Sequence, residues 1–292
     1  MLKKVFNELY DDSPAVMILG GFDGLHVGHK LLVDRAKTLA LPVGIMTIEG
    51  GKTGKSLFTV SERESIFKRF GVDFAFELSF EEIKDMSPSA FLDLLKKECN
   101  AAAFVCGEDF RFGAGAVGTP QTLKGYALEN AYVEKILYDG EKKVGATLIK
   151  EYLSAGNAKK AAELLAVPFF VQGEVVRDRG VGRTIGFPTA NILYPKEKFP
   201  LKKGVYETRA VIDGKAYKGI TNYGARPTFN DDTVVTETHF IAYTGDLYGK
   251  KLEIQFLDWI RENKKFESVE TLKRQLAKDV GRVTKNANSR DR

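Results

Sequence analysis

A chain of 292 residues, 43% hydrophobic and 28% charged with a formal net charge of +5, is long enough for two domains and has the mixed composition of a globular protein, which excludes a disordered or fibrous one. Its Lys and Arg residues are spread along the chain, so no nucleic-acid partner is expected, while a mild positive potential suits an enzyme that handles polyphosphate. The longest apolar runs, such as 15–22, fall well short of the roughly 20 residues that cross a bilayer. The opening MLKKVFNELYDDS lacks the apolar core and cleavage site of a secretory signal, so a cytoplasmic protein with no membrane partner is expected. Cys99 and Cys106 read as buried free thiols.

Taken in chain order, short β-rich apolar runs at 16–19, 43–48, 73–78 and 102–106 alternate with helical periodicity over 29–40, 61–70, 89–98 and 122–130. Strand and helix in alternation imply a parallel sheet covered by helices, so 1–166 is expected to be a Rossmann-like α/β domain. The pattern then turns helical through ATLIKEYLSAG and NAKKAAELLAV, with Gly156 as a stop, Asn157 as the next N-cap and Pro168 beyond the end. From Phe169 the texture changes to short runs rich in Val, Tyr, Thr and Phe, from FFVQGEVV to KLEIQFLDWI, which predicts an all-β antiparallel barrel over 167–282. A terminal amphipathic helix over 268–280 belongs to that domain, and 283–292 reads as a frayed polar tail.

Two segments carry chemistry. In the first, Gly20-Gly21-Phe22-Asp23-Gly24-Leu25-His26-Val27-Gly28-His29 leaves a strand, turns on glycines and enters a helix whose N-terminus favours an anion. Two of the three histidines of the chain sit in this one H-x-G-H turn, where both could donate hydrogen bonds to a phosphate as charge builds. With Gly107-Glu108-Asp109-Phe110-Arg111-Phe112-Gly113, the segment resembles the FMN adenylyltransferase module of the bacterial bifunctional riboflavin kinase/FAD synthetase family, within the nucleotidyltransferase superfamily. The resemblance implies that Gly20, Phe22, Asp23 and Gly28 line an ATP site, that His26 and His29 stabilise the α-phosphate, and that Asp109 and Arg111 meet FMN. It departs at 144–150, where the family's I-S-S-x-x-I-R becomes Val144-Gly145-Ala146-Thr147-Leu148-Ile149-Lys150. Two hydroxyls are gone and a guanidinium fork has become one ammonium, leaving Thr147 and Lys150 as phosphate contacts. The family's prolines after the second strand are also missing at 48–52. Adenylyl transfer is accordingly expected to be impaired or lost.

In the second, GVGRTIGFPTAN, Gly180, Gly182 and Gly186 allow successive N–H groups to face phosphate oxygens, with Arg183 adding charge. Alone the loop matches neither the Walker pattern nor the dinucleotide fingerprint. It is followed by Gly204-Val205-Tyr206, then Asn222-Tyr223-Gly224-Ala225-Arg226-Pro227-Thr228-Phe229, Glu237-Thr238-His239, Asp246-Leu247-Tyr248-Gly249-Lys250 and IRENKKF, the order found in bacterial and eukaryotic riboflavin kinases. That resemblance implies Thr189 and Asn191 as Mg²⁺ ligands shared with ATP, Glu237 as the base that accepts the riboflavin 5′-hydroxyl proton, and Asn222, Arg226 and Arg261 around the flavin. His239 lies on the same strand face as Glu237 and reads as structural. The expected partners are the small molecules riboflavin, FMN and ATP. Three functions stay open: synthesis of FAD from riboflavin in two ATP-consuming steps, phosphorylation of riboflavin alone, and a flavin-sensing or RNA-binding regulator, against which the complete kinase motif set argues.

Overall fold

A computed structural model describes residues 3–6, 13–50, 54–177, 182, 185–225 and 234–288. Of the candidate site residues above, Gly180, Arg183 and Arg226 lie outside this set, as do Pro227, Thr228 and Phe229 of the same motif, positions 51 and 52 of the 48–52 stretch, and 289–292 of the tail. Contacts within the chain divide it into two compact units: Met1–Ser56, Val60–Leu148 and Leu164–Val167 form one, and Leu57–Thr59, Ile149–Glu163 and Pro168–Arg292 form the other.

The first unit is built on strands β1 (Lys3–Phe6), β2 (Ala15–Leu19), β3 (Val43–Glu49), β4 (Phe74–Ser79), β5 (Ala101–Gly107) and β6 (Ala131–Glu134), in the sheet order β1-β4-β3-β2-β5-β6. All neighbours run parallel except β1, which pairs antiparallel with β4 at the edge. The AVMIL run of β2 is buried at every position, as a strand covered on both faces requires. The helices are α1 (Val27–Lys37), α2 (Val60–Arg69), α3 (Phe80–Ile83), α4 (Pro88–Glu98) and α5 (Pro120–Ala127). Ser87 and Thr119 cap α4 and α5 at their starts, each followed by proline. Phe91, Leu92 and Leu95 of α4 pack with Met17, Phe74 and Phe104 in one core. Both cysteines are buried and free. The chain passes from β2 to β3 on one side of the sheet and returns to β5 on the other side of β2, so the β2/β5 boundary is a topological switch point. In doubly wound sheets ligands bind beyond the carboxyl ends of the strands at such a point.

A two-stranded ribbon, β7 (Tyr138–Asp139) with β8 (Lys142–Lys143), precedes α6 (Ala146–Ala155) and α7 (Ala158–Leu164). Gly156, at φ +82°, breaks the chain between them, and the Asn157 side chain accepts from Lys160 N at 3.1 Å to start α7. The second unit has strands β9 (Phe170–Glu174), β10 (Ala190–Leu193), β11 (Gly204–Ile212), β12 (Lys215–Ala225), β13 (Val234–Phe240) and β14 (Lys251–Arg261), antiparallel throughout and ordered β10-β13-β12-β11-β14-β9. An antiparallel bridge between Val176 and Asn191 joins the two ends and curls the sheet into a barrel. Inside, the hydroxyls of Thr208, Thr221 and Thr238 form a buried chain with links of 2.8 and 2.7 Å.

The final helix, α8 (Val269–Asn288), corrects the expectation of a tail from 283. Val283 is fully buried against Val205, Ile220 and Ile260, so the apolar stripe that begins at Leu272 runs past Gly281 and keeps the chain helical. Arg261 locks the helix in place. Its Nε and Nη2 reach Asp279 Oδ2 at 3.0 and 2.7 Å, with both side chains largely shielded from water. Lys198 is also fully buried. Its ammonium donates to Leu57 O at 2.8 Å and stands 4.5 Å from the ring centroids of both Phe58 and Phe169.

Candidate active sites

The H-x-G-H turn sits directly after β2, at the switch point. His26 is the N-cap of α1, and its Nδ1 accepts from His29 N at 3.2 Å, which leaves the ring proton on Nε2. His29 donates from Nδ1 to Gly24 O at 2.8 Å, because a carbonyl can only accept. The two imidazoles stack with centroids 3.6 Å apart at 20°, and Phe22 closes on His29 at 4.4 Å. Gly28 makes this stack possible: a methyl group there would lie 3.1 Å from His26 Nδ1 and 3.2 Å from Cε1. At Gly20 it would meet the Phe22 ring at 3.0 Å. Asp23, within the turn, is buried.

The next strand at the switch point, β5, ends at Gly107 and leads straight into the 107–113 stretch that accompanies the H-x-G-H turn in the sequence. Asp109 is ion-paired with Lys143, while Arg111 is turned back to its own loop and donates to Phe110 O at 2.8 Å. Thr147 lies exposed in the first turn of α6. Lys150, one turn on, holds its ammonium 5.6 Å from the Phe199 ring within the second unit.

In the barrel, one register row crosses the strands: Asn191 of β10 pairs with Glu237 of β13, Glu237 with Asn222 of β12, Asn222 with Val205 of β11, and Val205 with Arg261 of β14. Residues opposite one another share a face, so the sheet gathers Asn191, Glu237 and Asn222 there, with Arg261 at the far end turned to α8. Thr189 adds to them, donating from Oγ1 to Glu237 Oε1 at 3.1 Å. Gly182 presses on the same hydroxyl; a methyl group on it would collide with Phe187 O at 2.4 Å and meet Thr189 Oγ1 at 3.2 Å. Asn191 is 3% exposed, and its Oδ1 has no hydrogen-bond partner among the described residues. A buried amide oxygen without a donor is costly unless a ligand completes it.

Beside Thr189 opens a cleft of about 410 Å³, walled by Pro188, Ala190, Thr238 and Phe240 and by the 243–248 loop. Arg177 stands over the ring of Tyr248 at this cleft, 5.4 Å from its centroid. Sequence reasoning missed Arg177, although its place just before the glycine loop was a usable signal. Lys198 was missed as well, and in YPKEKFP nothing distinguishes it from a solvated lysine.

A nucleotidyltransferase-type α/β unit joined to a kinase-type antiparallel barrel is the class that this fold and these two clusters define. Family models for FAD synthetase and riboflavin kinase match residues 9–147 and 165–287 respectively. A bifunctional riboflavin kinase/FMN adenylyltransferase of Bacillus subtilis is 31% identical over 290 residues, covering 92% of this chain and 91% of its own. Proteins of the same description from Listeria monocytogenes and Escherichia coli K12 are each 30% identical, covering 92% and 90% of this chain and 91% and 90% of theirs. The chain belongs to the bifunctional riboflavin kinase/FMN adenylyltransferase family. A crystal structure from Streptococcus pneumoniae, described as a macrolide-efflux protein, has the same fold, with a TM-score of 0.82 at 30% identity over 92% of this chain and 93% of its own. Among the described residues no helix is long and apolar enough to cross a membrane.

Proposed function

We propose that the barrel phosphorylates riboflavin to FMN with Glu237 as general base, and that the α/β unit adenylylates FMN to FAD more slowly. The observation that carries the kinase reading is the cluster of Thr189, Asn191 and Glu237 on one face of the sheet. Glu237 takes the proton of the 5′-hydroxyl as that oxygen bonds to the γ-phosphorus and the bond to the β–γ bridging oxygen breaks, releasing ADP. Thr189 orients the carboxylate by donating to one of its oxygens. The lone pairs of Thr189 Oγ1 and of Asn191 Oδ1, which has no partner among the described residues, suit a hard cation that keeps several waters and is shared with ATP phosphates. Bound Mg²⁺ would supply charge neutralisation on those phosphates. The cleft beside Thr189 has the volume of a small-ligand pocket and would take the nucleotide. Asn222 and the neighbouring row would face the flavin.

At the other site the attacking FMN phosphate is already anionic, so positioning and charge stabilisation suffice. Its oxygen bonds to the α-phosphorus of ATP as pyrophosphate leaves, and His26, with its proton on Nε2, donates to the developing charge. The slower rate follows from the start of α6. Thr147 is the lone side-chain hydroxyl in its first turn, and Lys150 is held at Phe199. Purified protein given FMN and MgATP tests this directly: FAD formation slower than FMN formation from riboflavin is expected, and equal rates would refute the ranking.

A further inference from the structure

We propose that His239 is a positioning residue for phosphoryl transfer, holding the Pro188 carbonyl and thereby setting Thr189 against Glu237; this rests on the kinase reading above. The β10–β13 ladder runs from Leu193 opposite Val235 to Ala190 opposite Thr238 and ends there. His239 is the next residue of β13, and its side chain takes over where the backbone pairing stops. Its Nδ1–H donates to Pro188 O at 2.9 Å. The Phe187 ring lies across the same imidazole, centroids 5.2 Å apart and inclined at 67°. Two consecutive residues are thus fixed to one side chain immediately before Thr189, whose hydroxyl donates to Glu237 at 3.1 Å. Strand alternation puts His239 and Glu237 on one face, so the clamp and the carboxylate it serves share a surface. Without the clamp, Thr189 would keep only the ladder at Ala190 and its own hydroxyl bond to Glu237 as ties to the sheet among the described residues, and a displacement of about 1 Å near a reacting group costs up to about a hundredfold in rate.

Two substitutions in the full chain separate the parts of the clamp. His239→Asn keeps a donor near the position of Nδ1 and loses the ring, whereas His239→Phe keeps a ring against Phe187 and loses the donor. Hydrogen–deuterium exchange over 187–191 without nucleotide reads the clamp independently of turnover. The Phe variant is expected to exchange about fivefold faster there, the worth of one hydrogen bond, and to lose about tenfold or more in kcat for FMN formation with the KM for riboflavin unchanged. The Asn variant is expected to stay within about threefold of wild type in both, with the same pH–rate profile. Wild-type exchange and kcat in the Phe variant would overturn the proposal. So would an Asn variant as slow as the Phe variant with one limb of its pH profile lost, which would make His239 a proton carrier. Failure of the kinase reading looks different: wild type then makes no FMN, which removes the purpose assigned to the clamp, while exchange in the Phe variant still rises.

Discussion

Replacing Gly28 by alanine sets local stability against function at the H-x-G-H turn. The added methyl group would stand 3.1 Å from His26 Nδ1 and 3.2 Å from Cε1, several tenths of an ångström inside ordinary carbon contact. The His26 ring has little room to yield. It is stacked on His29 at 3.6 Å and accepts from His29 N at 3.2 Å, so a tilt that relieves the clash disturbs both imidazoles. A shift of about half an ångström, scaled from about a hundredfold per ångström, lowers adenylyl transfer about tenfold. Alanine is meanwhile the better helix former, by up to about 1 kcal/mol, so α1 should be no less stable. FAD formed from supplied FMN, FMN formed from riboflavin, and the thermal midpoint would be measured on one preparation. The expected result is a tenfold loss of the first with the other two unchanged or slightly improved. FAD formation at the wild-type rate would show that the histidine stack does not position the α-phosphate.

Three further outcomes follow from the barrel. Asn191→Leu removes a buried oxygen that has no partner among the described residues, so it should raise the stability of the ligand-free protein by about 1 kcal/mol while weakening MgADP binding, read by calorimetry, at least about tenfold. Asp279→Asn takes the charge from a shielded pair and leaves the Arg261 guanidinium uncompensated, at a cost of about 3 kcal/mol in urea unfolding followed by the single tryptophan, Trp259. Burial pushes Tyr223 up to about 12, against which the hydrogen bond from Leu201 N acts, and it pushes Tyr206 up as well. Both phenols then hold their protons in the folded state after the unfolded chain has lost them. The contribution of these two phenols should be constant below the ordinary tyrosine value near 10 and fall as pH rises from there towards 12, by up to about 1.4 kcal/mol per pH unit for each group. A urea midpoint that is constant or rising between pH 10 and 11.5 would contradict this.

The architecture was legible where one period dominates. The continuous AVMIL run and the alternation in VVTETHF gave a fully covered parallel strand and a barrel strand, and both formed. Short edge strands were not legible. Lys3–Phe6 and Ala131–Glu134 have four residues each, too few to establish a period, and take their strand state from the neighbours they pair with. The last helix reads from sequence as ending at 280, although Leu272, Leu276, Val280 and Val283 continue one stripe across Gly281. At the kinase cluster the sequence named Thr189, Asn191, Asn222 and Glu237, but only the register shows that three of them form a row. Arg261 was read as a flavin contact from its motif alone, and its bond to Asp279 depends on a helix docking that no local pattern encodes. The burial of Lys198 is of the same kind, since its partners come from Leu57 and Phe58, far away in sequence.

The central claim, that the barrel phosphorylates riboflavin through Glu237, is tested most directly by comparing wild type with Glu237→Gln. Each would be incubated with riboflavin and MgATP, and the FMN and FAD formed separated by chromatography. Wild type should convert riboflavin to FMN faster than FMN to FAD. The variant should lose about a hundredfold or more of FMN formation and keep its rate of FAD formation from added FMN. FMN formation by the variant at the wild-type rate would contradict the assignment of Glu237 as the base, and no FMN from wild type would contradict the kinase itself.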